Sequence, residues 1–345
     1  MSNYVFRNKS GSISFQVSKK AIAIISILFF FSLFLFILAL STGSTWIHPF
    51  AVVAQILGLN NGEHEFVINT LRLPRVLLSF LVGVALGVSG LILQGIVRNP
   101  LAAPDILGIT GGAAVGAIFF IVSFSGIISM KWLPVAAILG AALVSIIIYL
   151  LSWKKGVTPI RLVLIGIGVA AGMKALTTMM IVLSEITVAS KAYLWLTGSV
   201  YGANWNDVYG MLPWVLIFIP LTLFFARIVN VKELGDDVAL GLGVRVQFYR
   251  FLLLFISVAL TGAAVAFAGG IGFVGLIAPH IARKLIGQSF TALVPISGLI
   301  GGLLVVIADV VARTAFLPLD IPAGVFTAGI GAPFFIYLLF KKRNM

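Results

Sequence analysis

The sequence predicts an all-α integral membrane protein with about ten transmembrane helices and both termini in the cytoplasm. Of its 345 residues, 61% are hydrophobic and 10% are charged, which is far too apolar a composition for a soluble domain. The apolar residues form runs of about 20, the length that a helix needs to cross a bilayer. Lysines and arginines cluster in the breaks between these runs, as they do in cytoplasmic loops.

Ten apolar segments separated by charged or Pro/Gly-rich breaks are the predicted spans. They cover about 21–41, 75–97, 105–125, 132–152, 161–184, 207–229, 248–268, 271–286, 292–314 and 321–340. The first segment is longer than a signal-peptide core, so the basic stretch 1–20 is interpreted as a cytoplasmic tail. An even number of spans then predicts one transmembrane domain, 21–340, followed by a cytoplasmic tail, 341–345.

The net charge of +13 does not indicate nucleic-acid binding. The basic residues lie in short clusters between the apolar runs, where the positive-inside rule places them. The chain has no cysteine, which excludes disulfides and thiolate metal sites. Glycine pairs at helical spacing, such as Gly83 with Gly87 and Gly298 with Gly302, predict close helix packing.

One glycine pattern resembles a dinucleotide-binding turn. Gly270, Gly272 and Gly275 form G-x-G-x-x-G, but the pattern lies between two predicted spans and the next acid is Asp309. A dinucleotide site needs a preceding strand and an acid about 20 residues further on. We therefore interpret the stretch as a tight return between two spans. His280, which follows it, has no partner set for a metal site or a catalytic triad, and a capping role is favoured.

Three arginines lie at the predicted outer ends of spans, against the positive-inside bias. These are Arg72, Arg75 and Arg313. One interpretation is interfacial placement, or pairing of Arg313 with Asp309 one helical turn earlier. The other is a basic patch that faces outward and binds an acidic partner.

A polar segment, 231–250, follows the sixth predicted span. Leu234, Val238 and Leu242 repeat at helical spacing, and the segment also carries the acids Glu233, Asp236 and Asp237. The pattern predicts a pair of short helices at the cytoplasmic surface. They are either an amphipathic surface loop or a docking element for a soluble partner.

Lys174 lies within the fifth predicted span. A lysine inside a membrane is costly unless it faces a cavity or a partner, and no acid lies one turn away. It is either a packing lysine with backbone partners or a residue of a transport pathway.

Six stretches together resemble the FecCD-type permeases of ABC importers for iron-siderophores, haem and vitamin B12. They are LRLPRVL (71–77), QGIVRNPLAAPDILGITGGAAVGA (94–117), LGDDVALGLGV (234–244), GFVGLIAPHIAR (272–283), ADVVAR (308–313) and IPAGVFTAGIGAPFFIYLL (321–339). They run in family order over nearly the whole chain past the first span. The resemblance implies a type II importer permease of ten helices, in agreement with the independent count.

The resemblance also implies partners. The family's permeases form dimers of identical or related chains in a prokaryotic inner membrane. An extracytoplasmic binding protein delivers the chelate, and two cytoplasmic ATPases drive the cycle. The resemblance implies no cofactor on this chain, because ATP and Mg²⁺ bind to the ATPases.

The resemblance assigns three roles to residues of this chain. Arg72, Arg75 and Arg313 match positions that pair with acids of the binding protein. The stretch LGDDVALGLGV and the glutamate before it match the region that couples the permease to the ATPase. The residues assigned to this role are Glu233, Leu234, Gly235, Asp236, Asp237, Ala239, Leu242 and Gly243. Thr158, Pro159 and Ile160 match the cytoplasmic gate, where Pro159 departs from the small hydroxyl residues of the family pattern.

The predicted function is therefore that of a non-enzymatic permease subunit, for iron(III)-siderophore complexes or alternatively for vitamin B12 or haem. An ion-coupled secondary transporter is the rival of a different class. Such proteins need ionisable residues in mid-membrane, and Lys174 is nearly alone there. A membrane-embedded enzyme would need a paired acid, a metal cluster or a nucleophile with its base, and the sequence shows none of these.

Overall fold

The computed structural model describes residues 3–7, 14–59, 62 and 64–343. Residues 1, 2 and 8–13 of the predicted N-terminal tail, and residues 344 and 345 of the C-terminal tail, lie outside the described residues. The described part of the chain is almost entirely helical. The helices are α1 Lys19–Ser41, α2 Pro49–Ile56, α3 Leu73–Val97, α4 Ile109–Phe124, α5 Leu133–Leu151, α6 Pro159–Val182, α7 Ile186–Leu196, α8 Trp205–Phe224, α9 Ala226–Glu233, α10 Asp236–Gly241, α11 Val246–Ala268, α12 Val274–Ile286, α13 Phe290–Thr314 and α14 Ala323–Arg343.

Short irregular helices precede two of these elements. A π-helix, Phe66–Arg72, leads into α3, and a 3₁₀ turn, Met130–Trp132, leads into α5. Two strands that the sequence analysis did not predict, β1 Asn3–Arg7 and β2 Ser14–Ser18, form an antiparallel hairpin just before α1.

Each of the ten predicted spans coincides with a helix, and the predicted all-α membrane fold is confirmed. Seven helices in the described part are long and apolar enough to cross a membrane: α1, the continuous helix 66–97, the helix 130–151, α6, α8, α11 and α13. Helix α4 and the apolar part of α14 are shorter, and α12 has 13 residues. The count of about ten spans stays a prediction.

The sixth predicted span was drawn too long. It was expected to reach residue 229, but α8 ends at Phe224 and α9 begins at Ala226. Helix α9 carries Arg227, Lys232 and Glu233, and these charged side chains favour a position at the membrane surface over the hydrocarbon core.

The core is built around α3, which packs against α11, α12 and α13. Glycines allow the closest approaches: a Cβ atom added to Gly83 would lie 2.2 Å from the carbonyl oxygen of Gly301, and one added to Gly90 would lie 1.9 Å from that of Gly275. Small residues permit this because packing, not water exclusion, holds membrane helices together. Helices α3, α11 and α13 are consequently mostly buried, whereas few residues of α1, α6 and α8 are buried.

The G-x-G-x-x-G stretch is the predicted tight return. Helix α11 ends at Ala268 and α12 begins at Val274. Gly270 and Gly275 both lie close to neighbouring backbone, near the carbonyl oxygens of Leu196 and Leu86. These glycines serve close packing, as the sequence analysis expected.

Candidate functional site

A cavity of about 450 Å³ lies where α3 ends, α6 begins and α10 crosses the predicted cytoplasmic face. It brings together the predicted gate residues and much of the predicted coupling segment. Its lining consists of Val97, Arg98, Thr158, Pro159, Ile160, Leu234, Gly235, Asp236, Asp237 and Val238. The sequence analysis named these two groups separately, from stretches about 75 residues apart in the chain.

Asp236, which lines this cavity, forms ion pairs with two arginines. It is the first residue of α10, and Gly235 before it has a φ of 124°, which favours glycine. Its Oδ2 lies 2.6 Å from Nη2 of Arg250, and its Oδ1 pairs with Arg98, which closes the C-terminal end of α3 in a left-handed conformation. The carboxylate therefore ties α10 to both α3 and α11.

The two arginines set the charge state of Asp236. Burial alone would raise the pKa of this carboxyl, but the hydrogen bond from Arg250 and the charges of Arg250, Arg98 and Lys232 outweigh burial and hold the pKa below its usual value. An opposite charge in contact favours the ionised form. Asp236 is therefore a carboxylate at neutral pH.

Arg250 also contacts the segment just before the gate residues. It is fully buried, and its Nη1 donates to the carbonyl oxygen of Val157. Gln247, one turn earlier on α11, accepts from the Val157 N–H at 3.0 Å and donates to the same carbonyl at 3.3 Å. Both polar groups of the Val157 peptide are thus bonded to α11.

Lys232 lies beside this cluster without a hydrogen bond. Its side chain is buried, and its Nζ has no hydrogen-bond partner among the described residues. Burial and the charges of Arg250 and Arg98 lower its pKa from 10.5 to about 8, against the opposing effect of Asp236. A buried ammonium in such a position is a destabilising feature.

The apolar residues of the coupling segment face outward. Leu234, Val238 and Leu242 are between 48% and 67% exposed, whereas Ala239 is fully buried. Helix α10 therefore uses its small residue for packing and presents its large apolar side chains at the surface. Glu233, Leu242 and Gly243 lie next to the cavity in sequence but do not line it.

Arg72 and Arg313 bond to the end of α1. Arg72 donates to the carbonyl oxygens of Leu40 at 2.7 Å, Ser41 at 3.1 Å and Thr45 at 2.7 Å, and Arg313 donates to that of Ala39. The last carbonyls of a helix have no partner within it, so these arginines cap α1. The sequence analysis did not predict this role.

Arg75 joins two acids at the same end of the bundle. Its Nε lies 2.9 Å from Oδ1 of Asp309, and its Nη atoms lie 2.6 and 2.9 Å from the two oxygens of Asp320. The predicted pair of Arg313 and Asp309 is present at 3.7 Å, but Arg75 is the closer partner. All three arginines thus use their guanidinium groups inside the chain, and docking of a binding protein by them stays a prediction.

Lys174 lies on the exposed side of α6. The hydroxyl of Thr178 donates to the Lys174 carbonyl oxygen at 2.9 Å, but no ion pair or hydrogen bond of the ammonium is present in the described part of the chain. The interpretation as a packing lysine with backbone partners is therefore not what the structure shows. His280 lies on α12 with its ring edge-on to Phe334.

Sequence reasoning missed Arg98, Val157, Lys232, Gln247 and Arg250. Arg98 and Arg250 belong to the lysines and arginines between the apolar runs, which the positive-inside rule already explains. One signal was present: Gln247 and Arg250 are two polar residues at i and i+3 in the first turns of an apolar helix, a spacing that places both on one face. Their partner, a backbone peptide about 90 residues away, has no sequence signature.

The chain is similar to transport permeases. The FecCD transport family model matches residues 28–341. The achromobactin transport system permease protein CbrC of Dickeya dadantii is 45% identical over 97% of this chain and 96% of its own length. The probable siderophore transport system permease protein YfhA of Bacillus subtilis is 47% identical over 94% and 96%.

A solved structure has the same fold. It is described as an inward-facing conformation of a metal-chelate type ABC transporter, and it is 31% identical to this chain with a TM-score of 0.81 over 93% of this chain and 99% of its own. With the family match over most of the chain, the class and the family follow. This protein is a multi-pass membrane permease, and it belongs to the FecCD transport family.

Proposed function

We propose that this chain is the membrane-spanning permease subunit of an ATP-driven importer for iron(III)-siderophore complexes. It receives the complex from an extracytoplasmic binding protein and releases it to the cytoplasm by alternating access. Relatives named for achromobactin, siderophore, iron(3+)-hydroxamate and Fe(3+)-citrate transport support this substrate class. The proposed location is the inner membrane of a prokaryotic cell.

The observation that carries the proposal is the cavity shared by Thr158–Ile160 and α10. Beside it, the exposed Leu234, Val238 and Leu242 form an apolar patch on α10 and the residues that flank it. Exposed apolar patches rimmed by charges are typical of protein interfaces. We assign this patch to a cytoplasmic ATPase subunit, which binds ATP and Mg²⁺ and moves α10 next to the gate.

A second permease subunit is proposed to cover the exposed side of α6. That side carries Lys174 and small residues such as Gly168 and Gly172. A lysine in mid-span is tolerated where it faces water or a partner. The two subunits would then enclose a pathway to which Lys174 contributes.

The end of the bundle that carries Arg72, Arg75 and Arg313 is the proposed docking face for the binding protein. Asp320, 24% exposed, and Tyr201, whose ring lies 5.6 Å from the Arg75 guanidinium, are at the rim of this face. Contacts of the binding protein would therefore begin at this rim and reach the Arg75 guanidinium by displacing Asp320.

The first test is uptake of radioactive iron in cells with and without this chain. Iron is supplied as carboxylate, hydroxamate and catecholate siderophore complexes, and radioactive cobalamin and haem serve as controls. We expect loss of uptake for one class of iron complex, with ATP depletion but not collapse of the membrane potential stopping uptake. Unchanged iron uptake with loss of cobalamin or haem uptake would overturn the substrate class, and dependence on the potential would overturn the ATP-driven mechanism.

A further inference from the structure

Three segments that are distant in sequence meet at the guanidinium of Arg250. Nη2 bonds Asp236 at the start of α10, and Nη1 bonds the carbonyl oxygen of Val157 just before α6. Because Arg250 is fully buried, water has little access to its donor groups. The planar guanidinium fixes the two bonds relative to one another.

The bond to Val157 is reinforced by Gln247. The Gln247 amide bonds both the N–H and the carbonyl of Val157. Gly156 leaves room for this contact, because a Cβ atom there would lie 2.7 Å from Nε2 of Gln247. Val157 is itself buried and directly precedes Thr158, the N-cap of α6. A shift of the first turns of α11 must therefore carry the start of α6 with it.

Asp236 has a second attachment, to a part of the bundle that is packed more tightly. Its Oδ1 pairs with Arg98 at the end of α3, and α3 is mostly buried by neighbouring helices. The pair with Arg98 is the more accessible one, because the Arg98 side chain is 33% exposed and that of Arg250 is 1% exposed. Solvent screens the pair with Arg98 more strongly, so we expect a displacement of α10 to separate that pair before the pair with Arg250.

We propose that Asp236, Arg250, Gln247 and Val157 form a mechanical linkage that passes displacement of α10 to the gate at the start of α6. This inference rests on the proposed function and extends it. Arg250 and Gln247 are positioning residues: they contact neither the transported complex nor ATP, and they act through the Val157 peptide. The linkage explains why the gate residues and the coupling helix share one cavity.

The linkage is tested in the complete transporter, with its ATPase and permease partners, reconstituted in liposomes. ATP hydrolysis and iron-chelate uptake are measured on the same sample for Arg250→Gln, Gln247→Leu and Asp236→Asn. We expect uptake per ATP hydrolysed to fall about tenfold in Arg250→Gln and severalfold in Gln247→Leu, with ATP hydrolysis within about twofold of the unmutated complex. Asp236→Asn combined with Arg250→Gln should be no worse than Arg250→Gln alone, because residues of one linkage are not additive.

The matched control is Arg245→Gln. Arg245 is an exposed arginine at the N-cap of the same helix, and it has no ion pair or side-chain hydrogen bond within the described ranges. Its substitution should leave uptake per ATP unchanged. Gln247→Leu removes no charge, so it carries the test if Arg250→Gln does not assemble.

A spectroscopic measurement separates the linkage from a merely structural role. The chain has no cysteine, so single spin labels at Ile160→Cys and Leu240→Cys report on the gate and on α10. ATP should change both spectra in the unmutated complex but only the Leu240 label in Arg250→Gln. If both labels still respond and uptake per ATP is unchanged in all three variants, the linkage is wrong. If the unmutated complex hydrolyses ATP without iron-chelate uptake, the proposed function is wrong. The response of the two spin labels to ATP still tests the linkage in that case.

Discussion

The buried side chains of Arg72 and Lys232 differ in whether hydrogen-bond acceptors surround their charged groups. Arg72 distributes its donors over three carbonyl oxygens at the end of α1, so its burial is compensated by charge-assisted hydrogen bonds. Lys232 is equally buried, but its ammonium has no such acceptor in the described part of the chain. Arg72 should therefore stabilise the fold, and Lys232 should destabilise it.

Arg72→Gln should lower the stability of the isolated chain. The shorter amide cannot reach all three carbonyl oxygens, and leaving buried acceptors unbonded costs about 1–3 kcal/mol. Thermal unfolding in detergent measures the effect, with Arg245→Gln as the control. An unchanged melting temperature combined with weaker binding-protein affinity would instead make Arg72 a docking residue and not a cap.

Lys232→Met should raise the melting temperature at pH 7. The free energy of unfolding should increase by about 3 kcal/mol, since the pKa falls from 10.5 to about 8 and each unit of pKa shift corresponds to about 1.4 kcal/mol. Methionine keeps a similar volume without the charge. Lys191→Met, which removes an exposed lysine, is the control and should have no effect.

The difference in stability between Lys232→Met and the unmutated chain should decrease as the pH rises. The folded chain releases the Lys232 proton near pH 8, whereas the unfolded chain keeps it to about 10.5. The unfolded state binds more protons between these values, so the stability of the unmutated chain rises with pH there. The advantage of Lys232→Met should be full below pH 8 and shrink by pH 10, and a constant advantage would contradict the buried, unpaired ammonium.

At the scale of elements, α3 is the central helix, against which α11, α12 and α13 pack. It approaches α13 through Gly83 and Gly87 and α12 through Gly90. The sequence analysis predicted close packing from the glycine spacing alone, and the structure confirms it. It could not predict which helices meet, because every span offers a similar apolar surface and several carry small residues.

Gly90→Ala should destabilise the bundle. The added Cβ would lie 1.9 Å from a backbone oxygen of α12, so the helices must separate at a cost of about 1–3 kcal/mol or more. Gly329→Ala in α14 is the matched control, because nothing lies within 4 Å of a Cβ atom added there. Equal melting temperatures for the two variants would show that the contact between α3 and α12 is looser than described.

At the scale of the whole molecule, burial is unequal among the helices. Helices α3, α11 and α13 are mostly buried, while few residues of α1, α6 and α8 are buried. Lipid suits an apolar surface, but the exposed side of α6 also carries the charge of Lys174. The cost of a charge in hydrocarbon is about 3 kcal/mol on insertion scales, so this side is better suited to a partner and a hydrated pathway.

Lys174→Glu should change which complexes are transported. Reversing the charge should reduce uptake of an anionic ferric citrate complex severalfold while changing uptake of a neutral hydroxamate complex much less, because only the former is repelled by a carboxylate. Both rates are measured in the reconstituted transporter, with Lys131→Glu, outside α6, as the control. An equal effect on both complexes would assign Lys174 to assembly and not to the pathway.

The sequence by itself determined the membrane class, most of the long apolar helices, the tight glycine return and the family. These follow from hydropathy, residue spacing and motifs, which are local properties of the chain. Only the tertiary structure decided that the outer arginines bond inward, that Arg75 joins Asp309 to Asp320, and that Arg250 connects Asp236 to Val157. The reason is physical: a buried charge takes whichever acceptors packing brings to it, and backbone carbonyls from distant parts of the chain leave no pattern in the sequence.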